Sequence, residues 1–235
     1  MTDYQELSDG KSRHGSMVQD LGNQIISGAL APNTRIPHEK ELIDKYGVSR
    51  PVVREAIRVL SAKGLVLSKP KTGTVVRPRP EWHLLDPDVM LWLIRNDPEK
   101  DFFSSLVSLR RIMEPEMAAV AAAQANNYDV LAIEDAYNRM EEASSSEQRV
   151  QADSDFHSSV AAATHNELMV HLSSMLLLPI RESIKVSSQR PNDAQFTLPR
   201  HKAILTAIRD GDGVAARSAS VIQLEDTAAA LRLSR

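Results

Sequence analysis

The sequence has no cysteine among its 235 residues, and this absence excludes disulfide bonds and thiolate metal sites. No apolar run approaches the roughly 18 residues that a membrane helix requires, so we expect no membrane partner. The polar start, MTDYQELSDGKSRHGS, lacks the apolar segment of a signal peptide. Together these absences predict a cytoplasmic protein.

Three familiar catalytic patterns are missing as well: a glycine-rich phosphate loop, an H-E-x-x-H pair and a nucleophile elbow. Internal repeats and low-complexity tracts are also absent. We therefore expect no enzyme. The alternative in that class is a metal-dependent hydrolase or lyase that acts on a small carboxylate, and it would need a general base beside the metal.

Positive charge is concentrated in one segment. The net charge is −3, but residues 35–79 carry 11 Lys and Arg against 4 Asp and Glu. The rest of the chain is correspondingly acidic. A basic segment beside an acidic one predicts that the first binds a polyanion while the second has another task.

The apolar spacing of the first third predicts helix, helix, helix, hairpin. We expect residues 1–13 to be disordered and the helices to cover about 14–27, 38–46 and 50–63. Two short strands, LVLSK and TVVRP, flank the turn PKTG, in which Gly73 supplies the special dihedral angle. This order predicts a winged helix-turn-helix over residues 14–78.

The remainder reads as helix throughout, after a proline-containing linker at residues 79–85. Seven helices without strands predict an all-α antiparallel bundle over residues 86–235. The fold class is therefore mainly α, with two domains. The seven helices are expected near 87–96, 101–125, 129–143, 147–164, 166–188, 198–209 and 213–233.

Three arginines form a basic stripe on the third helix. Arg50, Arg54 and Arg58 are spaced four residues apart, so they share one helix face. Because arginine can bridge guanine O6 and N7 or hold a phosphate, the stripe predicts a recognition helix for double-stranded DNA. The competing interpretation is an ordinary solvated helix face. The opposite face carries the residues expected in the core, Val53, Ala56, Ile57 and Leu60.

The N-terminal domain of the GntR family of transcription regulators resembles the segment IISGALAPNTRIPHEKELIDKYGVSRPVVREAIRVLSAKGLVLSKPKTGTVV. Asn33 stands where that family usually has Gly, and an asparagine tolerates the left-handed backbone that the turn needs. His38 stands where Ser is usual, which we expect to weaken the helix cap. The resemblance marks as DNA contacts Lys40, Ser49, Arg50, Arg54 and Gly73. The stripe and the wing tip add Arg58, Lys69, Lys71 and Thr72.

A candidate metal site is indicated further along the chain. Asp153 and His157 are four residues apart and share a helix face, and His201 lies on a later helix. One Asp and two His are a known ligand set for zinc, nickel or manganese. On spacing alone, a salt bridge or a cap explains the Asp-His pair equally simply.

The C-terminal part resembles the helical effector-binding domain of the FadR subfamily of GntR regulators. The resemblance rests on LRRIMEPEMAAVAA, ADSDFHSSVAAATHNELM and RHKAILTAIRDGDGVAA. Relatives bind a metal through an Asp and three His, which implies Asp153, His157 and His201 here, while the fourth position falls on Gln223. We expect three protein ligands, with water or the effector completing the site. The alternative is a metal-free pocket in which these four residues contact the effector directly.

Two further residues are expected at the effector. The resemblance points Arg110 into the pocket, where its guanidinium fits a carboxylate; the alternative is an ion pair with Glu114. Thr197 could donate to an effector hydroxyl. The extra helix after WHLLDPD resembles that of relatives that respond to sugar acids such as hexonates and hexuronates. We expect Trp82 and Trp92 to serve in packing.

These observations predict a homodimer whose two basic helices read a pseudo-palindromic operator. The expected function is a repressor that a sugar acid or another small carboxylate releases from DNA. Lactate-like and fatty-acyl effectors are the alternatives within this class. A protein-interaction module that has lost DNA binding is the third class, and the intact arginine stripe argues against it.

Overall fold

The computed structural model describes residues 13–70, 72–96, 101–187 and 193–230. Within that part, the side chains at 101, 103, 177–180, 182–187, 193–196 and 227–230 are not described. The chain divides into two compact units, Met1–Glu99 and Lys100–Arg235.

The first unit has the predicted order of helix, helix, helix and hairpin, followed by a short 3₁₀ helix and a fourth α-helix. Complete burial of Met17, Leu21, Leu42, Val53 and Leu60 joins the first three helices into one core. The elements are α1 (Arg13–Ile26), α2 (Glu39–Tyr46), α3 (Arg50–Ala62), β1 (Val66–Lys69), β2 (Gly73–Val76), the 3₁₀ helix (Arg79–Glu81) and α4 (Pro87–Asn96).

The two strands pair as an antiparallel hairpin. Val66 lies opposite Val76, and Lys69 lies opposite Gly73. Gly73 has φ +89°, a left-handed conformation that favours glycine, so this position fits the predicted turn. At the other end of the wing, Val75 also bridges to Arg35. The hairpin is therefore attached to the turn that precedes α2.

The two departures from the family pattern have different outcomes. Asn33 adopts φ 65°, so the left-handed turn is kept, as expected. At His38 the helix is still capped, but through hydrogen bonds that are long. His38 Nδ1 accepts from the Lys40 N–H at 3.4 Å, and the Glu41 carboxylate accepts from the His38 N–H at 3.3 Å. An imidazole nitrogen thus replaces the usual hydroxyl in a complete capping box.

Helix α4 belongs to the first unit, whereas we expected the second domain to begin at residue 86. A methyl group added at Gly22 would lie 2.5 Å from the Trp92 ring, so only a glycine on α1 leaves room for this tryptophan. Asn96 Nδ2 donates to Asn23 Oδ1 at 2.8 Å. These contacts dock α4 on α1.

The expected linker at residues 79–85 is likewise packed on the first unit. Trp82 is buried, and its Nε1 donates to the carbonyl of Arg77 at 2.9 Å. The backbone N–H of His83 donates to the carbonyl of Lys63 at 3.1 Å. Trp82 and Trp92 are therefore packing residues, as predicted.

A buried ion cluster connects the end of α3 with the start of α4. Lys63 is 5% exposed, and its Nζ lies 2.9 Å from Asp86 Oδ1 and 2.7 Å from Asp88 Oδ2. Burial opposes the charge of the lysine, but the two carboxylates raise the pKa of Lys63 above its ordinary value. Asp86 also caps α4 by accepting from the N–H groups of Asp88 and Val89.

The second unit is a bundle of six helices in the described part of the chain, one fewer than expected because α4 belongs to the first unit. Its core contains Phe156, Ile133, Met140 and Ile208, together with small alanines that let the helices approach closely. The helices are α5 (Asp101–Gln124), α6 (Asn127–Glu142), α7 (Ser146–Ala162), α8 (Glu167–Ser187), α9 (Asp193–Arg209) and α10 (Gly213–Ala230).

Among the residues described, no helix combines the length and apolar character that a membrane crossing would require.

Candidate functional site

The basic stripe of α3 lies on the outside of the first unit. Its three arginines are exposed, and the side chains of Arg50 and Arg58 are 71% and 78% exposed. The helix therefore presents one apolar face to the core and one arginine face to solvent. Ile57, which we also expected in the core, is only partly buried. The buried residues of the same helix are Val53, Ala56 and Leu60.

Two of these arginines have acidic neighbours. Arg58 donates to both carboxylate oxygens of Glu55, at 2.7 and 2.9 Å, and Arg50 Nε lies 3.4 Å from Glu39 Oε1. Exposed ion pairs of this kind contribute little stability. A phosphate group can therefore compete for either guanidinium at small cost.

The other predicted DNA contacts surround this face or lie on the wing. Ser49 is the N-cap of α3 but makes no side-chain cap hydrogen bond, so its hydroxyl is not used within the helix end. Lys40, Lys69 and Gly73 are exposed and Thr72 is partly so. Lys71 lies outside the described residues. The contacts of all these residues with DNA stay predictions.

The structure brings the three predicted metal ligands together inside the second unit. Asp153 and His157 lie on α7 and His201 lies on α9, and one ligand atom from each falls within 4.8 Å of the others. All three residues are buried. A group of this composition, enclosed between helices, has the donors that zinc, nickel or manganese prefers.

The imidazole Nε2 atoms converge on the Asp153 carboxylate. His201 Nε2 is 3.1 Å from Oδ1, and His157 Nε2 is 3.7 Å from Oδ2. Both Nε2 atoms are buried, and among the described residues neither makes a well-aligned hydrogen bond. A buried ring nitrogen needs a polar partner, and the Asp153 carboxylate is the nearest one to both Nε2 atoms.

The outward nitrogen of each ring faces an acceptor. His157 Nδ1 lies 3.3 Å from Glu114 Oε2, and His201 Nδ1 lies 2.9 Å from the carbonyl oxygen of Thr197. A carboxylate or a carbonyl can only accept, and each ring has an acceptor on both sides, because Asp153 faces both Nε2 atoms. The contacts of Nδ1 are the shorter ones, 3.3 Å against 3.7 Å for His157 and 2.9 Å against 3.1 Å for His201, and they favour the proton of a neutral ring on Nδ1. The lone pair of a neutral imidazole is then on Nε2, on the side of Asp153.

Charge in this cluster is balanced internally. Burial opposes ionisation of Asp153, but the close approach and the charge of His201 hold the pKa of that carboxyl below its usual value. Burial lowers the pKa of His157, which favours the neutral ring that a metal requires. Burial also acts to lower the pKa of His201, but the Asp153 carboxylate raises the pKa of this ring above its ordinary value.

Arg110 forms the ion pair with Glu114 that was the alternative to effector binding. It is 2% exposed, and its Nε and Nη2 donate to the two Glu114 oxygens at 2.5 and 3.3 Å. Sequence reasoning missed Glu114 as a site residue. Its position four residues after Arg110 indicates the ion pair, but no sequence pattern indicates its approach to His157. Thr197 contributes its carbonyl here, whereas a role for its hydroxyl stays a prediction.

A small cavity adjoins His157. Its volume is about 20 Å³, which is room for about one water molecule. Gln223, predicted at the fourth ligand position, is buried on α10, the helix that also carries the cavity-lining residue Ser220. A six-carbon acid is far larger than one water, so this cavity must open before it can hold one. The lining residues include Glu114, Phe156, Ser173 and Ser220.

Comparison with known proteins gives the same two-part division. Residues 14–76 match the family model described as bacterial regulatory proteins of the gntR family, and residues 105–226 match the FCD domain.

Three curated relatives align over most of this chain. The galactonate operon transcriptional repressor of Escherichia coli is 32% identical, covering 92% of this chain and 95% of the relative. The regulator LutR of Bacillus subtilis is 30% identical over 85% of this chain and 92% of its own. The Uxu operon transcriptional regulator of E. coli is 30% identical over 95% of this chain and 84% of its own length.

Solved structures support the fold. Lar, a Listeria monocytogenes protein described as controlling expression of the agr system, superimposes with a TM-score of 0.66 at 20% identity and covers 95% of this chain and 99% of its own. McbR/YncC of E. coli superimposes with a TM-score of 0.53 at 17% identity, covering 94% of this chain and 97% of its own.

Proposed function

The chain belongs to the GntR family of bacterial transcription regulators, in the FadR-type branch that carries the FCD domain, and from this premise we propose that it is a repressor released from its operator by a sugar acid. DNA binding and effector binding follow from the family. Members of the family are transcription regulators rather than enzymes, so the metal-dependent enzyme is set aside. The sugar acid, the metal, the dimer and the individual contacts are the proposal.

The main support for the proposed effector site is the convergence of Asp153, His157 and His201. The inward nitrogens of the two rings are buried without well-aligned partners in the described part of the chain, and their outward nitrogens face acceptors. These donors fit a divalent metal such as zinc, nickel or manganese. A metal bound there would supply a positive charge and an open coordination position for a carboxylate.

Gln223 makes the proposed centre different from one with three histidines. A carboxamide oxygen is a weak ligand for transition metals. We therefore expect three protein ligands, with the effector or water at the remaining positions, and a metal affinity below that of a four-ligand site. In this arrangement the effector itself contributes to holding the metal.

Sugar acids are the proposed effectors because one of the relatives is named for the galactonate operon, and galactonate is a sugar acid. A second candidate class is lactate-like acids, since a further relative is named as a putative L-lactate dehydrogenase operon regulatory protein. Arg110 is a carboxylate partner only if its pair with Glu114 opens. Thr197 and Gln223 are proposed to hydrogen-bond effector hydroxyls.

The proposed mechanism is a shift between two arrangements of the helical unit. The cavity beside His157 is about 20 Å³, so an effector stabilises only an arrangement in which the surrounding helices have separated. A ligand of this kind changes DNA affinity by its preference for one arrangement over the other. The proposed assembly is a homodimer that presents two α3 helices to a pseudo-palindromic operator.

A thermal-shift experiment tests the proposed effector. The full chain is heated with hexonates, hexuronates or lactate, each with and without a chelator. We expect a sugar acid to raise the melting temperature in the metal-loaded protein and to lose most of this effect with chelator, because a ligand of the native state stabilises it in proportion to occupancy. If only lactate raised the melting temperature, the second class would replace the first. If no acid did, the proposal would fail.

A further inference from the structure

The structure places a buried carboxylate behind one of the proposed metal ligands. Glu114 lies on α5, one turn after Arg110, and its Oε2 is 3.3 Å from His157 Nδ1. This nitrogen faces away from Asp153, since Nε2 is the atom directed at that carboxylate. Glu114 is thus on the outer side of the ring and is not itself one of the clustered metal ligands.

We propose that Glu114 is a positioning residue for the metal centre: oriented by Arg110, it fixes the ring of His157 and its Nδ1–H tautomer so that Nε2 is presented to the metal. This inference rests on the proposed function, because it assigns the outer shell of the same centre. An outer carboxylate of this type orients a histidine ligand and makes its nitrogen more basic.

Arg110 explains how Glu114 can serve in this way while buried. Its guanidinium donates two hydrogen bonds to the carboxylate, which fix the plane of the carboxylate and balance its charge. Burial opposes ionisation, but the positive charge of Arg110, followed by that of His157, holds the pKa of Glu114 below its usual value. Because Arg110 donates to both oxygens, the carboxylate is held as an acceptor, and His157 Nδ1 is the donor of the pair.

The same pair leaves Asp153 as the carboxylate available to a cation. The charges of Arg110 and Glu114 cancel within one helical turn. Asp153, by contrast, faces two imidazole rings that must be neutral when they act as ligands. The positive charge that balances Asp153 in the loaded centre is therefore that of the metal.

The test compares Glu114→Gln and Glu114→Ala with Glu116→Gln in the full-length chain. Glu116 lies on the same helix and pairs with Arg217 at the surface, so it is a matched control for loss of a carboxylate. Binding of Mn²⁺, Ni²⁺ and Zn²⁺ is measured by titration calorimetry. The tautomer of His157 is read from imidazole ¹⁵N shifts in the metal-free protein.

We expect Glu114→Ala to weaken metal binding about 10- to 100-fold and Glu114→Gln to weaken it by about tenfold. Both should shift the His157 spectrum from the Nδ1–H tautomer towards Nε2–H, because Asp153 is then the carboxylate that remains beside the ring. Glu116→Gln should change neither property. Glu114→Ala leaves Arg110 buried without a partner. If this variant does not fold, the double variant Arg110→Gln with Glu114→Gln is measured in its place. That variant should resemble Glu114→Gln.

Unchanged metal affinity and an unchanged tautomer in the folded Glu114 variants would overturn the inference. If the unmodified chain bound none of the three metals, the metal part of the proposed function would fail instead. The tautomer comparison in the metal-free protein would still decide the role of Glu114.

Discussion

At the residue scale, the prediction that the chain binds DNA depends on the arginines of α3. Replacement of Arg54 by Ala removes an exposed guanidinium whose helix is otherwise anchored by buried Val53 and Ala56. We expect operator affinity to fall by about 1–3 kcal/mol and the fold to be kept. Fluorescence anisotropy with a duplex selected from a random-sequence pool measures this loss.

A surface arginine of the second unit provides the control for that experiment. Arg209 pairs with Glu134 at the surface, and its replacement by Ala should leave DNA affinity unchanged. If Arg54 contacts a phosphate, the salt dependence of binding should also become shallower by about one unit of logarithmic slope. Equal DNA affinity for the Arg54→Ala and Arg209→Ala variants would contradict the assignment of α3.

Gln223 offers a second test at the residue scale. Replacement of Gln223 by His supplies the nitrogen ligand that the family pattern has at this position, so we expect metal to bind at least about tenfold more tightly. Gln148→His, at an exposed position of α7, is the matched control. Affinities for Ni²⁺ and Zn²⁺ are measured by titration calorimetry, and equal values for the two variants would refute the assigned position of Gln223.

At the element scale, the packing of α4 is the main feature that the sequence does not predict. The spacing predicts a helix at 87–96, and the helix is found at Pro87–Asn96. Its place in the first unit depends on Gly22 of α1, which leaves room for Trp92, and on Lys63 at the end of α3, which pairs with carboxylates at its start. Spacing defines a helix and its apolar face, but it does not say which distant surface that face covers.

The contact between Gly22 and Trp92 can be tested by stability. A methyl group at Gly22 would lie 2.5 Å from the Trp92 ring, so Gly22→Ala must displace the tryptophan. We expect the free energy of unfolding of the first unit to fall by about 1–3 kcal/mol. Both tryptophans of the chain, Trp82 and Trp92, lie in this unit, so denaturation followed by tryptophan fluorescence reports on it directly.

A double variant separates this clash from a general effect of alanine on α1. When Trp92 is already replaced by Leu, the added methyl group has space, and Gly22→Ala should destabilise the unit much less than in the unmodified chain. Equal losses of stability in the two backgrounds would show that the two residues are not coupled.

The elements of the metal cluster are predictable to different degrees. The four-residue spacing of Asp153 and His157 predicts that both lie on one face of α7, and in the structure a ligand atom of each lies within 4.8 Å of one from His201. The approach of Glu114 to His157 is not predictable, because it depends on how α5 packs against α7. The capping role of His38 also escapes prediction when only hydroxyl, amide and carboxylate caps are considered.

At the scale of the whole molecule, the charge distribution matches the division into two units. The basic residues counted between 35 and 79 all lie in the first unit, whereas the chain as a whole carries a net charge of −3. The fold class and the order of elements are predictable at this scale because they follow from local spacing. The boundary between the units is not, because it depends on the distant contacts of α4.

This charge distribution predicts a steep salt dependence of DNA binding. Each phosphate that the first unit neutralises releases counterions, so the affinity of the full-length chain for its selected duplex should fall steeply as salt is raised. Anisotropy titrations at several salt concentrations measure the slope. A slope near zero would show that the basic segment does not contact the DNA backbone.

The central claim is that occupation of the helical unit controls DNA binding by the first unit. The most direct test measures the affinity of the metal-loaded, full-length chain for its selected duplex at fixed salt, with and without a sugar acid. We predict that the acid weakens DNA binding in the unmodified chain and has no effect when His157 and His201 are both replaced by Ala. The variant His165→Ala, at an exposed residue that pairs with Asp129, should respond as the unmodified chain does. An acid that changed DNA affinity equally with and without His157 and His201 would contradict this claim.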